Sequence, residues 1–140
     1  MSFKPDISVD VCGKHFKNPV IAASGAYGFG EDYTDLYPLS ALGGISCKGT
    51  TLNKKDGNIP PRIAETPSGI LNSVGLQNPG VDKFINYYLP RLRTQDTVVI
   101  ANIAGAVIDD YIAVAEKLDA TDVDMIAVSY THLRAHETGR

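Results

Sequence analysis

The sequence predicts an α/β protein of repeated strand-then-helix units, on three observations. Short continuous apolar runs recur along the chain. Segments with helical apolar spacing lie between them, and a polar residue, Ser24, Lys48 or Asn102, stands at the carboxyl end of three of the runs. A run that is apolar throughout, rather than alternating, reads as a strand buried on both faces, the usual state of a parallel sheet. With right-handed crossovers, such units build either a doubly wound sheet or a (β/α)8 TIM barrel.

The elements follow in order. Ile7-Ser8-Val9-Asp10-Val11 alternates apolar and polar residues, turns at Gly13-Lys14 and resumes with His15-Phe16-Lys17, which predicts an N-terminal β-hairpin serving as a flap. Pro19-Val20-Ile21-Ala22-Ala23 predicts a strand buried on both faces and ended by Ser24-Gly25. A helix is expected over 31–42, and Gly44-Ile45-Ser46-Cys47-Lys48 predicts the second buried strand. The helix over 81–93 has Phe84, Ile85, Tyr88 and Leu89 on its apolar face, with Pro90 bending or shortening it. Val98-Val99-Ile100-Ala101-Asn102 has strong β propensity, the helix over 109–118 offers Ile112, Val114, Ala115 and Leu118 for burial, and Asp124-Met125-Ile126-Ala127-Val128 begins a fourth strand.

The polar strand ends help to choose between the two architectures. Barrel enzymes build their sites at the carboxyl ends of the strands. A doubly wound sheet does so too, but should carry G-x-G-x-x-G between its first strand and first helix, whereas Gly25, Gly28 and Gly30 read G-x-x-G-x-G. The pattern alone puts the barrel only modestly ahead.

Bulk properties remove several function classes. A length of 140 residues predicts one domain, and 44% apolar with 21% charged residues is the balance of a globular chain. The formal charge of −3, with Lys and Arg scattered, lacks the basic face that nucleic-acid binding needs. No apolar run approaches the ~18 residues that span a bilayer. Two cysteines without CxxC spacing, and no leading apolar segment, make a reducing cytoplasm the simplest compartment, so a soluble cytoplasmic protein is expected.

Separate motifs then converge on one family. Asn18-Pro19-Val20-Ile21-Ala22-Ala23-Ser24-Gly25, Cys47-Lys48-Gly49-Thr50-Thr51 and Gly57-Asn58-Ile59-Pro60-Pro61-Arg62 resemble the class 1 dihydroorotate dehydrogenases. Leu71-Asn72-Ser73-Val74-Gly75-Leu76-Gln77-Asn78-Pro79-Gly80, followed by Ile100-Ala101-Asn102-Ile103-Ala104-Gly105, is similar to the NAD-linked subclass 1B in order and spacing. The resemblance runs from about Ile7 to Ile126. It implies a (β/α)8 barrel holding FMN, of which about the first half is present, that oxidises dihydroorotate to orotate in de novo pyrimidine (UMP) biosynthesis. It also implies a partner electron-transfer flavoprotein subunit carrying FAD and an iron-sulfur cluster that passes electrons to NAD. The assembly it implies is a homodimer of catalytic subunits within a heterotetramer.

The resemblance also assigns residues. Removing a proton from one carbon and a hydride from its neighbour requires a flavin stacked on the substrate, a carboxylate-binding group and a base. Lys48 matches a position beside both FMN and substrate, where an ammonium would stabilise negative charge. Ser24, Gly49 and Asn102 match flavin contacts. Asn72, Ser73, Val74, Gly75 and Leu76 match the substrate loop, with Gly75 admitting close backbone approach. Read without the resemblance, Lys48 is an exposed strand-end lysine, 72–76 a common loop and Asn102 a turn former. Cys47 should face away from Lys48 into packing, Cys12 is read as structural, and His15 as a surface residue.

The pattern breaks after the fourth strand begins. The family continues into Asn-x-Ser-Cys-Pro-Asn, whose Cys is the base; here residues 127–140 contain neither Cys nor Pro. The expectation is therefore two segments: 1–128, the N-terminal part of an FMN-binding barrel, and 129–140, a non-family tail resembling translated sequencing-adapter read-through. His132, His136 and Glu137 have helical spacing, but lack the H-E-x-x-H order, so no metal site is expected. A barrel takes ~250 residues, so a chain with about four of eight units and without the late phosphate-binding loops is expected to be inactive as written. Two other readings stay open: another FMN barrel oxidoreductase acting on pyrimidines, such as the flavin domain of a dihydropyrimidine dehydrogenase, and a non-catalytic half-barrel that dimerises or binds the flavoprotein partner.

Overall fold

The computed structural model describes residues 5–128; the tail 129–140, with His132, His136 and Glu137, lies outside the described residues. Strands β1 (Val9–Val11) and β2 (Lys14–Phe16) form the expected antiparallel hairpin, with Val9 opposite Phe16 and Val11 opposite Lys14. The two-residue turn has φ of 50° at Cys12 and 76° at Gly13, the positive pair that matches strand twist in a tight hairpin. Cys12 is exposed there, so the expectation of a structural packing role does not hold.

Four strands make one parallel sheet: β3 (Ile21–Ala22), β4 (Gly44–Ser46), β7 (Val98–Ile103) and β8 (Met125–Val128), in the order β3-β4-β7-β8. The register places Ala22 beside Ile45, Ile45 beside Val99, and Asn102 beside Ala127. β5 (Ile63–Thr66) and β6 (Gly69–Asn72) form a separate antiparallel hairpin for which the sequence offered no expectation. All eight of its residues are exposed, so no burial pattern marked it.

Helices fill the crossovers. α1 (Ser24–Tyr27) follows β3 directly, so Ser24 opens a helical turn. The helix expected over 31–42 is instead two 3-10 turns, Glu31–Tyr33 and Leu39–Ala41. Pro38 explains the break: it has no N–H to donate and it disfavours helical geometry at Tyr37. After β6, α2 (Val81–Lys83), a π-helical stretch (Phe84–Tyr88) and α3 (Leu89–Leu92) run together as one helix. The wide turn falls just before Pro90, which cannot complete an ordinary helical bond, so the proline widens the helix where bending or shortening was expected. α4 (Ile108–Asp119) spans the last crossover. The Asp110 carboxylate caps its first turn by accepting from the N–H of Ala106 at 2.8 Å and of Val107 at 3.3 Å, where the helix dipole favours negative charge.

The core lies between sheet and helices. Ile45, Val99 and Val114 are fully buried, and Phe84, Leu89 and Leu118 are nearly so. Each such side chain contributes about 1.5–3 kcal/mol by leaving water. Ile112, expected to be available for burial, is half exposed, because two helical positions from Val114 is nearly the opposite face. The first strand also departs from expectation. It is two residues long, pairs only with β4, and leaves Val20 and Ile21 exposed.

The hairpin β1–β2 packs at the beginning of the strands. Phe16 is buried against Gly44, the first residue of β4. Lys14 pairs with Asp124 at 3.1 Å, and Lys17 with the Asp96 carboxylate at 2.9 Å. The opposite, carboxyl end of the sheet is therefore left free of it.

Candidate functional site

Three strand ends meet at that carboxyl end. Ser24 follows β3, Lys48 and Gly49 follow β4, and Asn102 is the penultimate residue of β7. Asn102 donates from Nδ2 to Ser24 Oγ at 3.0 Å. The backbone after β4 stays in register with β7: Cys47 N–H donates to the Ile100 carbonyl at 2.9 Å and Thr50 N–H to the Asn102 carbonyl at 2.9 Å. Lys48 N–H turns the other way, to the Gly28 carbonyl at 2.8 Å, and its own carbonyl accepts from Thr50 Oγ1 at 2.9 Å. Lys48 is thus fixed by its main chain while its side chain stays partly exposed.

Alternation along this segment separates two chemistries. Cys47 is fully buried in the core, as expected, and burial pushes its thiol up to about 12, against a smaller opposing pull from Arg93. Such a thiol is neither a nucleophile nor a base at neutral pH. Lys48 instead borders a cleft of about 170 Å3 together with Ser24, Gly49, Leu76 and Asn102. The lining is neutral hydrogen-bonding groups, one ammonium and a leucine face. Gly49 is needed for the shape, since a Cβ there would stand 3.1 Å from Leu76 Cδ1.

The loop expected to hold substrate divides into two parts. Leu76 reaches the cleft, and Val74 borders an adjoining cavity of about 310 Å3 that shares Lys48 and includes Gln77 and Tyr88. Burial, with Glu31 next, pushes the Tyr88 phenol up, so it stays a protonated donor. Asn72 and Ser73 lie elsewhere: they border a groove of about 250 Å3 on the β5–β6 hairpin with Arg62 and Ile63. Gly75 has φ of 76°, and a Cβ there would approach Asn58 Cγ to 2.7 Å, so glycine is required twice over. The loop is held by Ser73 N–H donating to the Arg62 carbonyl at 2.8 Å, Asn58 Nδ2 to the Ser73 carbonyl at 2.7 Å, and Arg62 Nη2 to Gln77 Oε1 at 2.7 Å.

The residue-type reading missed Asn78, which was visible in the Gln77-Asn78-Pro79-Gly80 motif but given no role. It is one of two buried polar residues of the described chain, with Thr50. His15, read as a surface residue, is exposed and sits 2.9 Å from Asp10. Among the described residues no three His, Cys, Asp or Glu side chains gather as a metal set, and no helix is long and apolar enough to cross a membrane.

The family model for dihydroorotate dehydrogenase matches residues 6–131. The chain belongs to the dihydroorotate dehydrogenase family. Among curated relatives, the catalytic subunit of dihydroorotate dehydrogenase B (NAD(+)) from Petrotoga mobilis is 51% identical over 134 residues, covering 96% of this chain and 45% of the relative. The subunit of that name from Bacteroides thetaiotaomicron is 48% identical over 117 residues, covering 84% and 39%. That from Malacoplasma penetrans is 50% identical over 112 residues, covering 80% and 37%. The chain therefore spans less than half the length of these relatives.

Proposed function

We propose that residues 1–128 are the N-terminal half of a (β/α)8 barrel that oxidises dihydroorotate to orotate in pyrimidine biosynthesis, with electrons passing to NAD through a separate subunit. The single observation that carries this reading is the convergence of Ser24, Lys48, Gly49, Leu76 and Asn102 on one cleft at the carboxyl ends of parallel strands. The sheet order β3-β4-β7-β8 follows the chain without reversal, as a barrel does; a doubly wound sheet reverses at a switch point. The exposed apolar residues Ile21 and Val128 on the two outermost strands, with Val20 just before the first of them, are the surfaces that further barrel units would cover.

FMN fits this cleft on the chemistry of its lining. A flat heteroaromatic ring with carbonyl and ring-nitrogen edges needs neutral partners, close backbone approach and a cation, which Ser24, Asn102, Gly49 and Lys48 offer. When bound, FMN would supply the hydride acceptor. Asn102 and Ser24, already hydrogen-bonded to each other, would fix the ring edge, with Ser24 Oγ free to donate its own proton onward. Lys48 would bind and orient an anionic group, and its ammonium would favour negative charge accumulating beside it. Val74, Gly75 and Leu76 would close over the substrate ring, and Asn72 and Ser73, outside the cleft in this structure, would join only if the hairpin moved inward. Cys47 is excluded as the base by its burial, and the resemblance implies a cysteine base in the Asn-x-Ser-Cys-Pro-Asn motif that follows the fourth strand in the family.

The partner subunit would carry FAD and an iron-sulfur cluster, and the catalytic subunits would pair as a homodimer in a heterotetramer. We place the protein in the cytoplasm. The tail 129–140 we read as foreign to the family on its lack of the Asn-x-Ser-Cys-Pro-Asn motif, although the family match itself runs on to residue 131; sequencing the locus past the codon for Val128 decides between the two. The functional test is anaerobic addition of dihydroorotate to the purified full-length subunit: bleaching of the flavin absorbance with orotate formation supports the reading, and an unreduced flavin refutes it. A non-catalytic half-barrel remains the second reading, favoured by the same uncovered apolar strands; it requires the 140-residue chain to form a discrete soluble oligomer.

A further inference from the structure

We infer that Asn78 is the positioning residue of the substrate loop, clamping Leu76 against the segment that carries Lys48 and Gly49. The inference rests on the functional reading above. The Asn78 side chain is 5% exposed, and its polar atoms are committed to three main-chain groups. Oδ1 accepts from Thr51 N–H at 3.1 Å and from Gly80 N–H at 3.0 Å, which fills both lone pairs. Thr51 Oγ1 also stands 3.1 Å away, but its single proton has a shorter acceptor in the Asn53 carbonyl at 2.6 Å. Nδ2 donates to the Leu76 carbonyl at 2.9 Å. The main chain of Asn78 is itself anchored by reciprocal bonds with Lys55, at 2.9 and 3.0 Å.

Leu76 is the residue that needs holding. Its φ of 54° lies in the left-handed region that a branched side chain rarely adopts. Its Cδ1 is the atom that a Cβ on Gly49 would meet, so this conformation sets one wall of the cleft. Without the Nδ2 donor, Leu76 is free to relax toward negative φ, which rotates the peptide planes of 75–77 and withdraws that wall. Asn78 does not border the cleft and touches no expected ligand, so it acts through Leu76 and Thr51. An asparagine is required because the position needs an acceptor for two N–H groups and a donor for one carbonyl on the same short side chain. Aspartate would keep the acceptor and lose the donor.

The test uses the full-length subunit, loaded with FMN, and two substitutions. Asn78→Ala removes both functions, and Asn78→Asp removes only the donor to Leu76. In both, KM for dihydroorotate and the Kd for orotate, read from the orotate-induced shift of the flavin spectrum, are expected to rise about 10-fold, while kcat and FMN content change less than about threefold. Unchanged KM and Kd in either FMN-loaded variant overturns the inference. Loss of FMN in both variants also overturns it, because Asn78 would then support the fold and not the loop. If the unsubstituted subunit fails to oxidise dihydroorotate, the functional reading falls first, and this inference with it.

Discussion

Asn102 and Ser24, 78 residues apart in the chain, share a hydrogen bond of 3.0 Å that ties the end of β7 to the start of α1. The bond spans a strand, since β4 lies between β3 and β7 in the sheet. Gly49 stands at the intervening strand end, where a Cβ would lie 4.0 Å from the Asn102 amide nitrogen, in ordinary contact. Two neutral groups that already satisfy one another are a prepared edge for a planar ligand. Ser24→Ala should weaken FMN binding by about 10-fold, the worth of one neutral hydrogen bond plus the stranded Asn102 amide. Fluorescence titration of the deflavinated full-length subunit measures it, and an unchanged Kd removes Ser24 from the site.

Lys48→Ala should leave the fold intact, since the side chain is partly exposed and, among the described residues, only its main-chain groups are bonded. Loss of a fixed cation beside developing charge costs about 100-fold in kcat. Steady-state turnover with dihydroorotate, with FMN content held as a control, is the measurement. A drop of less than threefold would mean that the ammonium is bystander surface.

The two thiols should separate cleanly. Cys47 is fully buried with its thiol pushed up to about 12, and Cys12 is exposed in the hairpin turn. Iodoacetamide at pH 8 should label Cys12 and spare Cys47 until denaturant is added. Peptide mass mapping before and after unfolding shows this, and early labelling of Cys47 would contradict the packing around β4.

Much of this arrangement was legible in the sequence where backbone pattern and chemistry coincide. The runs around Ile45 and Val99 are apolar on both faces because helices cover one side and other side chains the other, so β4 and β7 were readable directly. The Cys47–Lys48 division followed from alternation alone. The helix expected over 31–42 gives way to two short turns because Pro38 interrupts it. β5 and β6 were invisible for the opposite reason: an exposed hairpin buries nothing, and burial is what writes a period into a sequence. Asn78 was hidden in plain view, since a loop asparagine is ordinarily a turn former, and only the convergence of three main-chain groups on its amide shows otherwise.

Gly43→Ala should destabilise the fold by about 1–3 kcal/mol, because a Cβ there would collide with the Asn18 carbonyl oxygen. The Asn18 main chain cannot simply move aside, because its side chain anchors it. Its Oδ1 accepts from the N–H groups of Val20 and Gly43, and its Nδ2 donates to the Ala41 carbonyl, so it stitches the start of β3 to the start of β4. Urea unfolding of the full-length subunit followed by circular dichroism reports the loss.

Asp124 should give the amino-terminal end of the sheet an acid-sensitive joint. Burial pushes its carboxyl up, but the Val99 N–H, Arg93 and Lys14 outweigh that and leave it below the ordinary carboxylate value. A depressed folded value means that the contribution is complete above the ordinary carboxylate pKa of about 4 and is lost as pH falls through the folded one. Asp124→Asn should cost about 1–3 kcal/mol at pH 7, and the gap to the unsubstituted protein should narrow below about pH 4. Chemical denaturation across pH 3–7 tests both sign and window.

The alternation of Cys47 and Lys48 also makes reading frame along β4 a matter of parity. Deleting or inserting one residue between Gly44 and Lys48 would exchange inside for outside, carrying an ammonium into the core and a thiol to the cleft. A two-residue change would restore the facing but shift it by one rung against β7. The hairpin of β5 and β6, exposed throughout, has no such constraint. Length variation among natural homologues should therefore gather in 63–72 and be purged from 44–49, a signature that would be visible in gene sequences before any protein is made.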